Sequence, residues 1–223
     1  MRCCLFTKIF PEAHAVVIGV IQASSQADKN SFLFESANRF AAGHRIVNFG
    51  CFPDDDIRYS YIEISLAAGL LLESGAVDFI LTGCSSGQGM MLACNSIPGV
   101  LCGYAPTPMD AYLFAQINNG NAISLPLGEE YTYSGSENCR WTIEKLFSEP
   151  FGQGYPAKEA ARKIKDTELL KAIRKKSQTD FISFIQKLDR PLIEKVMTKR
   201  DVIDYILQNG RNAEIIDWIK QNR

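Results

Sequence analysis

The chain is predicted to fold as an α/β protein built on a five-stranded, doubly wound parallel sheet (Rossmann-like), followed by a helical C-terminal extension. Three observations predict this fold class. Strand and helix patterns alternate up to residue 147, the strand segments are apolar runs typical of buried parallel strands, and only helical patterns follow residue 156. Sheets of this kind bind ligands where the strands end, so residues that follow strands are the first candidates for a site.

The first strand is predicted over Val16–Ala23, which is an apolar run. The small polar residues 24–28 can cap a helix over Asn30–Ala42, and Gly43 ends that helix. The second strand is predicted over His44–Phe49. This order of strand, helix and strand is the repeating unit of a parallel sheet.

The next helix is predicted over Tyr59–Ser74, because its apolar residues recur at helical spacing and Gly75 stops it. The third strand is predicted over Phe79–Leu81, and a helix over Gly89–Asn95. The remaining strands are predicted over Val100–Tyr104 and Ala122–Leu125, and the remaining helices of this part over Pro108–Ile117 and Ser136–Phe147.

The C-terminal part differs in charge as well as in pattern. Residues 1–156 carry 8 Lys and Arg against 15 Asp and Glu (net −7), whereas residues 157–223 carry 16 against 10 (net +6). This shift predicts two domains, an α/β domain at 1–156 and a basic helical extension at 157–223. The basic surface is interpreted as a helical face, and the cluster at Lys171, Arg174, Lys175 and Lys176 as helix capping or dimer support. Helices of the extension are predicted over Ala157–Lys176, Phe181–Leu188, Leu192–Gln208 and Ala213–Gln221.

The composition argues against several classes of protein. A net charge of −1 does not favour a nucleic-acid partner, and the lack of an apolar run of about 18 residues predicts no membrane span. Seven cysteines without a Cys-x-x-Cys pair predict neither a disulfide framework nor a zinc site. A reducing, cytoplasmic compartment is therefore expected. Residues 1–10 are not expected to form a signal peptide, since Pro11, Glu12 and His14 interrupt any apolar core.

The most informative segment is Thr82–Gly89, which reads Thr-Gly-Cys-Ser-Ser-Gly-Gln-Gly directly after the third predicted strand. Its glycines allow a tight turn with inward-pointing amides, and the helix that follows adds the positive end of its dipole. Beside such donors, the thiol of Cys84 can act as a base or a nucleophile toward an anionic intermediate. The alternative is a strand-to-helix turn with an inert buried cysteine. A phosphatase loop is excluded, because it needs Arg at Met90.

Residues 83–100, Gly-Cys-Ser-Ser-Gly-Gln-Gly-Met-Met-Leu-Ala-Cys-Asn-Ser-Ile-Pro-Gly-Val, resemble the signature of the ribose-5-phosphate isomerase B and galactose-6-phosphate isomerase family. Weaker matches are Gly43-His44, Asn48-Phe49-Gly50, Tyr59 and residues 118–121. The resemblance spans residues 15–156. It implies a homodimer with an active site shared between subunits, no metal or other cofactor, and the interconversion of an aldose and a ketose.

The resemblance also implies roles for individual residues. In this family a cysteine takes the proton next to the carbonyl, an enediolate forms, and the proton returns to the neighbouring carbon; Cys84 matches this base. Ser86 matches a residue whose hydroxyl moves protons between the oxygens, and the amides of residues 85–89 match the loop that holds the negative charge. The residues expected to bind substrate are Ser25, Gln26, Tyr59, Ser85, Gly87, Gln88, Gly89 and Asn95.

The chain departs from the family at two places. Pro106 stands where the sugar-phosphate isomerases carry a His that opens the sugar ring, and residues 152–156 lack the Arg of the phosphate site, although Arg162 follows and could replace it. Either the substrate is acyclic or another group, such as Asp110 or a water, opens the ring. A hydroxylated substrate without a phosphate is also expected. The alternatives are a non-catalytic sugar or sugar-phosphate binding protein, and a structural oligomer on the same fold.

Overall fold

Five parallel strands form the central sheet, and this confirms the predicted fold class. The computed structural model describes residues 16–131 and 135–223, so Cys3, Cys4, His14 and the predicted absence of a signal peptide lie outside the described residues. The strands are β1 (Val17–Val20), β2 (Arg45–Asn48), β3 (Phe79–Cys84), β4 (Cys102–Tyr104) and β5 (Ala122–Pro126). Their order is β2-β1-β3-β5-β4, with every neighbouring pair parallel. The strand order therefore reverses between β1 and β3, which is the switch point of the sheet.

The third strand is longer than its apolar run predicts. The pattern ends at Leu81, but residues 82–84 continue the strand in register with residues 124–126 of β5. A glycine is required within this stretch, because a Cβ on Gly83 would lie 2.5 Å from the carbonyl oxygen of Leu125. Backbone pairing therefore fixes Cys84 at the end of the strand, where the sequence pattern predicts a loop.

Helices cover both faces of the sheet. Neighbouring residues of β3 point to opposite faces, so Phe79 and Leu81 belong to one apolar core and Ile80 belongs to the other. The helices of residues 16–147 are α1 (Asn30–Phe40), α2 (Tyr61–Glu73), α3 (Gln88–Ser96), α4 (Pro108–Leu113, continued by a π-helical turn over Phe114–Asn118) and α5 (Gly135–Leu146). The core with Phe79 contains α1, α4 and α5, and the core with Ile80 contains α2 and α3.

The extension has five helices rather than the four predicted. They are α6 (Ala160–Ser177), α7 (Phe181–Ile185), α8 (Arg190–Met197), α9 (Arg200–Asn209) and α10 (Ala213–Asn222). The single helix predicted over 192–208 is wrong. Lys199 has a non-helical backbone (φ −79°, ψ 77°), and the chain turns there so that Val196 and Ile203 both enter the core with α2.

The middle of helix α2 is enclosed by the sheet, α3 and the extension. Its residues 64–71 are all buried, and Phe181, Ile206 and Trp218 of the extension belong to the same core. The contact is close at Gly69, where a Cβ would lie 2.6 Å from the Ile97 side chain and 3.3 Å from the Phe181 ring. The extension is therefore part of the apolar core that contains Ile80 of β3.

Helix α6 binds the edge of the sheet at which the strands begin, opposite the edge at which Cys84 ends β3. The Lys171 ammonium donates to the carbonyl oxygen of Asn119 at 2.7 Å, and the Arg174 guanidinium donates to the carbonyl oxygen of Val100. The Thr167 hydroxyl donates to the carbonyl oxygen of Ile117 at 2.5 Å. Lys171 and Arg174 therefore bind main-chain carbonyls of the α/β part. The sequence interpretation, helix capping or dimer support, did not include this role.

Candidate active site

Cys84 lies at the edge of the sheet where the strands end. Its carbonyl oxygen accepts a hydrogen bond from the Leu127 amide at 3.0 Å, and its Cα is paired with Pro126 of β5. The residue is 8% exposed, and the next two residues, Ser85 and Ser86, are half-buried. Cys84 is therefore just below the surface, next to the switch point between β1 and β3, and is not sealed in the interior.

The segment Cys84–Gly89, called the thiol loop below, is pressed against β5. Gly87 has φ 73°, and a Cβ there would lie 2.8 Å from the carbonyl oxygen of Leu125 and from the nitrogen of Pro126. The Ser124 hydroxyl donates to the carbonyl oxygen of Gly87 at 2.6 Å. The conformation of the loop is therefore fixed by contacts with main-chain atoms of the neighbouring strand.

The thiol loop presents free backbone amides. Helix α3 begins at Gln88, and the hydrogen bond that closes its first turn runs from the Met91 amide to the Gly87 carbonyl at 3.1 Å. Within the described residues, no protein acceptor is found for the amides of residues 85–87, and the amides of Gln88 and Gly89 belong to the unpaired first turn of the helix. Such donors, together with the helix dipole, can hold a negative oxygen next to the thiol.

The loop after β1 contacts the thiol loop directly. This segment, residues 21–26, is called the β1 loop below. The Ala23 amide donates to the Gly83 carbonyl at 3.1 Å, and the Gln26 side-chain amide donates to the Ser85 hydroxyl at 3.0 Å. Gln26 is 9% exposed, whereas Ser25 is exposed. The structure thus brings together Cys84, Ser85, Ser86, Ser25 and Gln26 at one edge of the sheet.

Tyr59 borders this group, but its hydroxyl is bonded to the extension. The Tyr59 amide donates to the Ser24 hydroxyl at 2.8 Å, and its carbonyl accepts from the Ser24 amide at 2.9 Å. Its hydroxyl lies 2.9 Å from the Thr198 hydroxyl, and the residue is 5% exposed. Burial raises the pKa of Tyr59, so its hydroxyl stays protonated at neutral pH.

The structure does not bring Asn95 to the site. Its side-chain amide donates to the carbonyl oxygens of Met91 and Cys102 at 3.0 and 2.8 Å, and its oxygen accepts from the Cys102 amide at 3.1 Å. These bonds join the end of α3 to the start of β4, at the edge of the sheet opposite Cys84. Of the other predicted residues, Gln88 is exposed, and the Tyr61 ring lies over Gly89.

Two further residues considered in the sequence, His44 and Arg162, lie away from the thiol or are already paired. His44 precedes β2, where its Nδ1 accepts a hydrogen bond from the Val16 amide at 3.4 Å, and burial lowers its pKa. Arg162 is paired with Glu159 at 2.8 Å and with Asp166 at 2.9 Å on the surface of α6. Neither histidine chemistry by His44 nor anion binding by Arg162 is therefore available beside Cys84 of the same chain.

A buried polar network behind the β1 loop was not found by the sequence analysis. The Asn30 side chain donates to the side-chain oxygens of Gln22 and Asn48 at 3.0 and 2.9 Å, and Gln22 donates to the carbonyl oxygen of Cys51 at 2.7 Å. In the sequence, Asn48-Phe49-Gly50 is only a weak match to the family. These bonds satisfy the polar groups that the turns after β1 and β2 would otherwise leave unpaired.

Three other buried thiols have environments that oppose ionisation. Burial raises the pKa of Cys139 to about 12 and also raises the pKa values of Cys51 and Cys102. A thiol must ionise to serve as a base. These three cysteines are therefore core residues rather than alternative bases.

A cavity of about 540 Å³ is lined in part by Pro126, the residue of β5 that is paired with Cys84. Its lining includes Lys29, Phe32, Leu127 and Ser136. The Lys29 ammonium is 3.0 Å from Asp28 and 3.4 Å from Glu129, and its pKa is raised chiefly by the hydrogen bond to Asp28. The cavity therefore has a cation at the edge of the sheet that carries Cys84.

In residues 16–131 and 135–223, no group of three or more His, Cys, Asp or Glu side chains is arranged to hold a metal ion, and this includes the acidic run at 54–56. No helix within the same described ranges is long and apolar enough to cross a membrane.

Comparisons with known proteins agree with this architecture. The family model described as Ribose/Galactose Isomerase matches residues 18–167. A solved structure of a 4-deoxy-L-threo-5-hexosulose-uronate ketol-isomerase, complexed with a tartrate, is 34% identical with a TM-score of 0.87, over 92% of this chain and 98% of that one. A ribose-5-phosphate isomerase from Vibrio parahaemolyticus is also 34% identical with a TM-score of 0.87, over 94% and 100% of the two chains.

A mutant type B ribose 5-phosphate isomerase from Trypanosoma cruzi shares the fold at 19% identity and a TM-score of 0.62, and it covers only 74% of this chain. No curated protein matched the chain significantly. The family match spans most of the α/β part, and two relatives at 34% identity cover nearly the whole chain. The chain therefore belongs to the ribose/galactose isomerase family and is a sugar isomerase of that type.

Proposed function

We propose that the protein is a ketol-isomerase that interconverts the aldose and ketose forms of an acyclic, unphosphorylated sugar acid by proton transfer at Cys84. The observation that carries this proposal is the Cys84 thiol at the end of β3 beside free amides, in a chain with Pro106 in place of the ring-opening His. The thiol and the amides supply what proton abstraction next to a carbonyl requires.

In the proposed reaction, the Cys84 thiolate takes the proton from the hydroxyl-bearing carbon next to the aldehyde. The electron pair of that C–H bond forms the C=C bond of an enediolate, and the carbonyl electrons move to the oxygen. The amides of residues 85–89 hold that negative oxygen. The Ser86 hydroxyl moves a proton between the two oxygens, and Cys84 returns its proton to the former aldehyde carbon, which gives the ketose.

The chemistry of one relative's substrate supports an acyclic sugar. A 4-deoxy-5-hexosulose has no hydroxyl at carbon 4 and a carbonyl at carbon 5, so neither a five-membered nor a six-membered hemiacetal ring can close on its aldehyde. An isomerase for such a compound needs no ring-opening acid. The similarity to that relative covers 92% of this chain, which has Pro106 at the position of the ring-opening His.

An acid group at the far end of the substrate would need a cation. Arg162 is held by Glu159 and Asp166, and residues 152–156 contain no Arg. We propose that Lys29, which lines the cavity beside Pro126, binds a carboxylate there in exchange for the exposed Glu129. Ser25, Gln26 and Ser85 would bind the hydroxyl groups, and Gln88 and Gly89 would border the same cleft.

A homodimer is proposed as well. Leu92 on α3 is 63% exposed and Met109 on α4 is 55% exposed, although both are large apolar residues. A second copy of the chain that covers both would complete the site, as the family resemblance implies. Size-exclusion chromatography with light scattering tests this, and a fully active monomer would contradict it. The free thiols at Cys51, Cys94, Cys102 and Cys139 fit a reducing compartment such as the cytoplasm.

Two other functions have specific support. The ribose-5-phosphate isomerase at 34% identity favours a sugar-phosphate substrate. The loss of the ring-opening His favours a protein that binds sugars without converting them. A structural role without a small ligand would be indicated if no sugar shifted the melting temperature.

Activity assays separate these functions. Purified protein is incubated in deuterated water with 4-deoxy-L-threo-5-hexosulose uronate, ribose 5-phosphate, galactose 6-phosphate and the free aldoses, and the products are followed by NMR. The proposal predicts conversion of the uronate with deuterium at the former aldehyde carbon and no such exchange in Cys84→Ala. Strong turnover of ribose 5-phosphate alone would contradict it, and binding without any exchange would favour the non-catalytic function.

A further inference from the structure

We propose that the junction between α8 and α9 of the extension, Thr198-Lys199, positions the thiol loop by holding Tyr59 and, through it, the β1 loop. Tyr59, Thr198 and Lys199 would thus be positioning residues that do not touch the substrate. The inference rests on the proposed function, since it assigns a role in catalysis to residues outside the α/β part.

The hydrogen bond between the junction and Tyr59 has a fixed direction. The Thr198 hydroxyl donates its one proton to the carbonyl oxygen of Lys195 at 2.6 Å. It must therefore accept the proton of the Tyr59 hydroxyl, which lies 2.9 Å away. The phenol of Tyr59 is consequently anchored to the last turn of α8.

Two lysines of the extension fix the ring of the same residue. The ammonium groups of Lys195 and Lys199 lie 5.3 and 5.4 Å from the ring centre of Tyr59. Lys199 is only 4% exposed, and its ammonium is paired with Asp201 at 3.1 Å. Lysine is rarely buried to this extent, and its cation here contacts the aromatic ring and one carboxylate instead of water. The break between α8 and α9 is what directs Lys199 inward.

Tyr59 in turn holds the β1 loop through its backbone. Its amide and carbonyl form two hydrogen bonds with Ser24, at 2.8 and 2.9 Å. Two residues further, Gln26 donates to the Ser85 hydroxyl at 3.0 Å. A continuous set of contacts therefore leads from Thr198 through Tyr59 and the β1 loop to Ser85, which is bonded directly to Cys84 in the chain.

The chain offers a matched pair of substitutions for the test. Tyr59→Phe removes one hydroxyl, and with it the bond to Thr198. Tyr205→Phe removes a hydroxyl from α9 that is also buried and has no hydrogen-bond partner within the described residues. Both changes keep the ring, so they differ in the contact and not in the volume removed.

We expect Tyr59→Phe to lower kcat/KM about tenfold, with the fall mostly in kcat, because a small displacement of the reacting groups is costly in rate. Thr198→Val should show a similar loss, and the double variant should be no worse than either single variant, since both remove the same contact. Tyr205→Phe should match the parent. All are measured well below the melting temperature.

Amide hydrogen exchange supplies a readout that does not depend on activity. Tyr59→Phe should increase exchange in residues 22–26 and 84–89, whereas Tyr205→Phe should leave it unchanged. The inference is overturned if Tyr59→Phe keeps the parent kcat/KM, or if exchange in these two segments does not change. If the parent protein converts no sugar, the proposed function is wrong. The exchange measurement still tests the positioning role in that case, because equal exchange in Tyr59→Phe and the parent would reject it.

Discussion

Replacing Gly87 with Ala tests whether the thiol loop owes its shape to the contact with β5. Gly87 has φ 73°, a left-handed conformation that costs an L-residue about 1 to 2 kcal/mol. The added Cβ would also lie 2.8 Å from backbone atoms of Leu125 and Pro126, which cannot rotate away. Such overpacking typically adds about 1 to 3 kcal/mol. We therefore expect Gly87→Ala to lower the free energy of unfolding by about 2 to 5 kcal/mol.

Gly43→Ala is the control for the conformational part of this cost. Gly43 has φ 89°, but no heavy atom lies within 4 Å of a Cβ built there. Its replacement should therefore cost only about 1 to 2 kcal/mol. The difference between the two variants isolates the contact with β5.

The comparison uses thermal unfolding followed by circular dichroism, together with isomerase activity at 25 °C. For a chain of this size, each kcal/mol shifts the melting temperature by about 2 to 4 °C. Gly87→Ala should melt clearly below Gly43→Ala, and it alone should lose activity, because the loop must move to admit the methyl group. Equal melting temperatures and equal activities in the two variants would refute the argument.

Three further predictions concern single side chains. Cys84→Ser, which keeps the size but removes the acidic thiol, should lower kcat by about 10² to 10⁴ with little change in melting temperature; a fully active variant would exclude the proposed base. Lys29→Met should raise KM for an acidic substrate but not for a neutral aldose, and equal effects on both would contradict carboxylate binding. Burial raises the pKa of Glu73, so its charged form is disfavoured on folding. Glu73→Gln should therefore be more stable than the parent in urea unfolding at neutral pH, and this difference should disappear as the pH falls below the ordinary pKa of Glu; a difference that persists in acid would contradict this.

The sheet and the position of the thiol could be predicted because both depend on local pattern. Apolar runs separated by helical segments define the strands, and the glycines around Cys84 define a turn at the end of one of them. The length of β3 could not be read in the same way. Thr82-Gly83-Cys84 has the composition of a loop, and it becomes strand only through hydrogen bonds to β5, about 40 residues later in the chain.

The contacts that could not be predicted from the sequence depend on how the chain folds and not on local pattern. Helical periodicity continues across Thr198-Lys199, so the sequence pattern does not reveal the break there, nor the contact of Thr198 with Tyr59, 139 residues earlier. Asn95 was assigned to the site because it lies in the family signature, yet its amide is used by Met91 and Cys102. A motif thus predicted the identity of the thiol loop, but not which of its neighbours turn toward the thiol.

The enclosure of α2 has a consequence for how this family can vary in length. Eight consecutive residues of that helix, 64–71, are buried. A chain that ended near residue 156 would therefore expose a continuous apolar surface along the helix. Deleting residues 157–223 should yield an aggregating product rather than a minimal enzyme. Grafting the same segment onto a short homologue should fail as well, unless the recipient's helix is also rewritten to be apolar around its whole circumference.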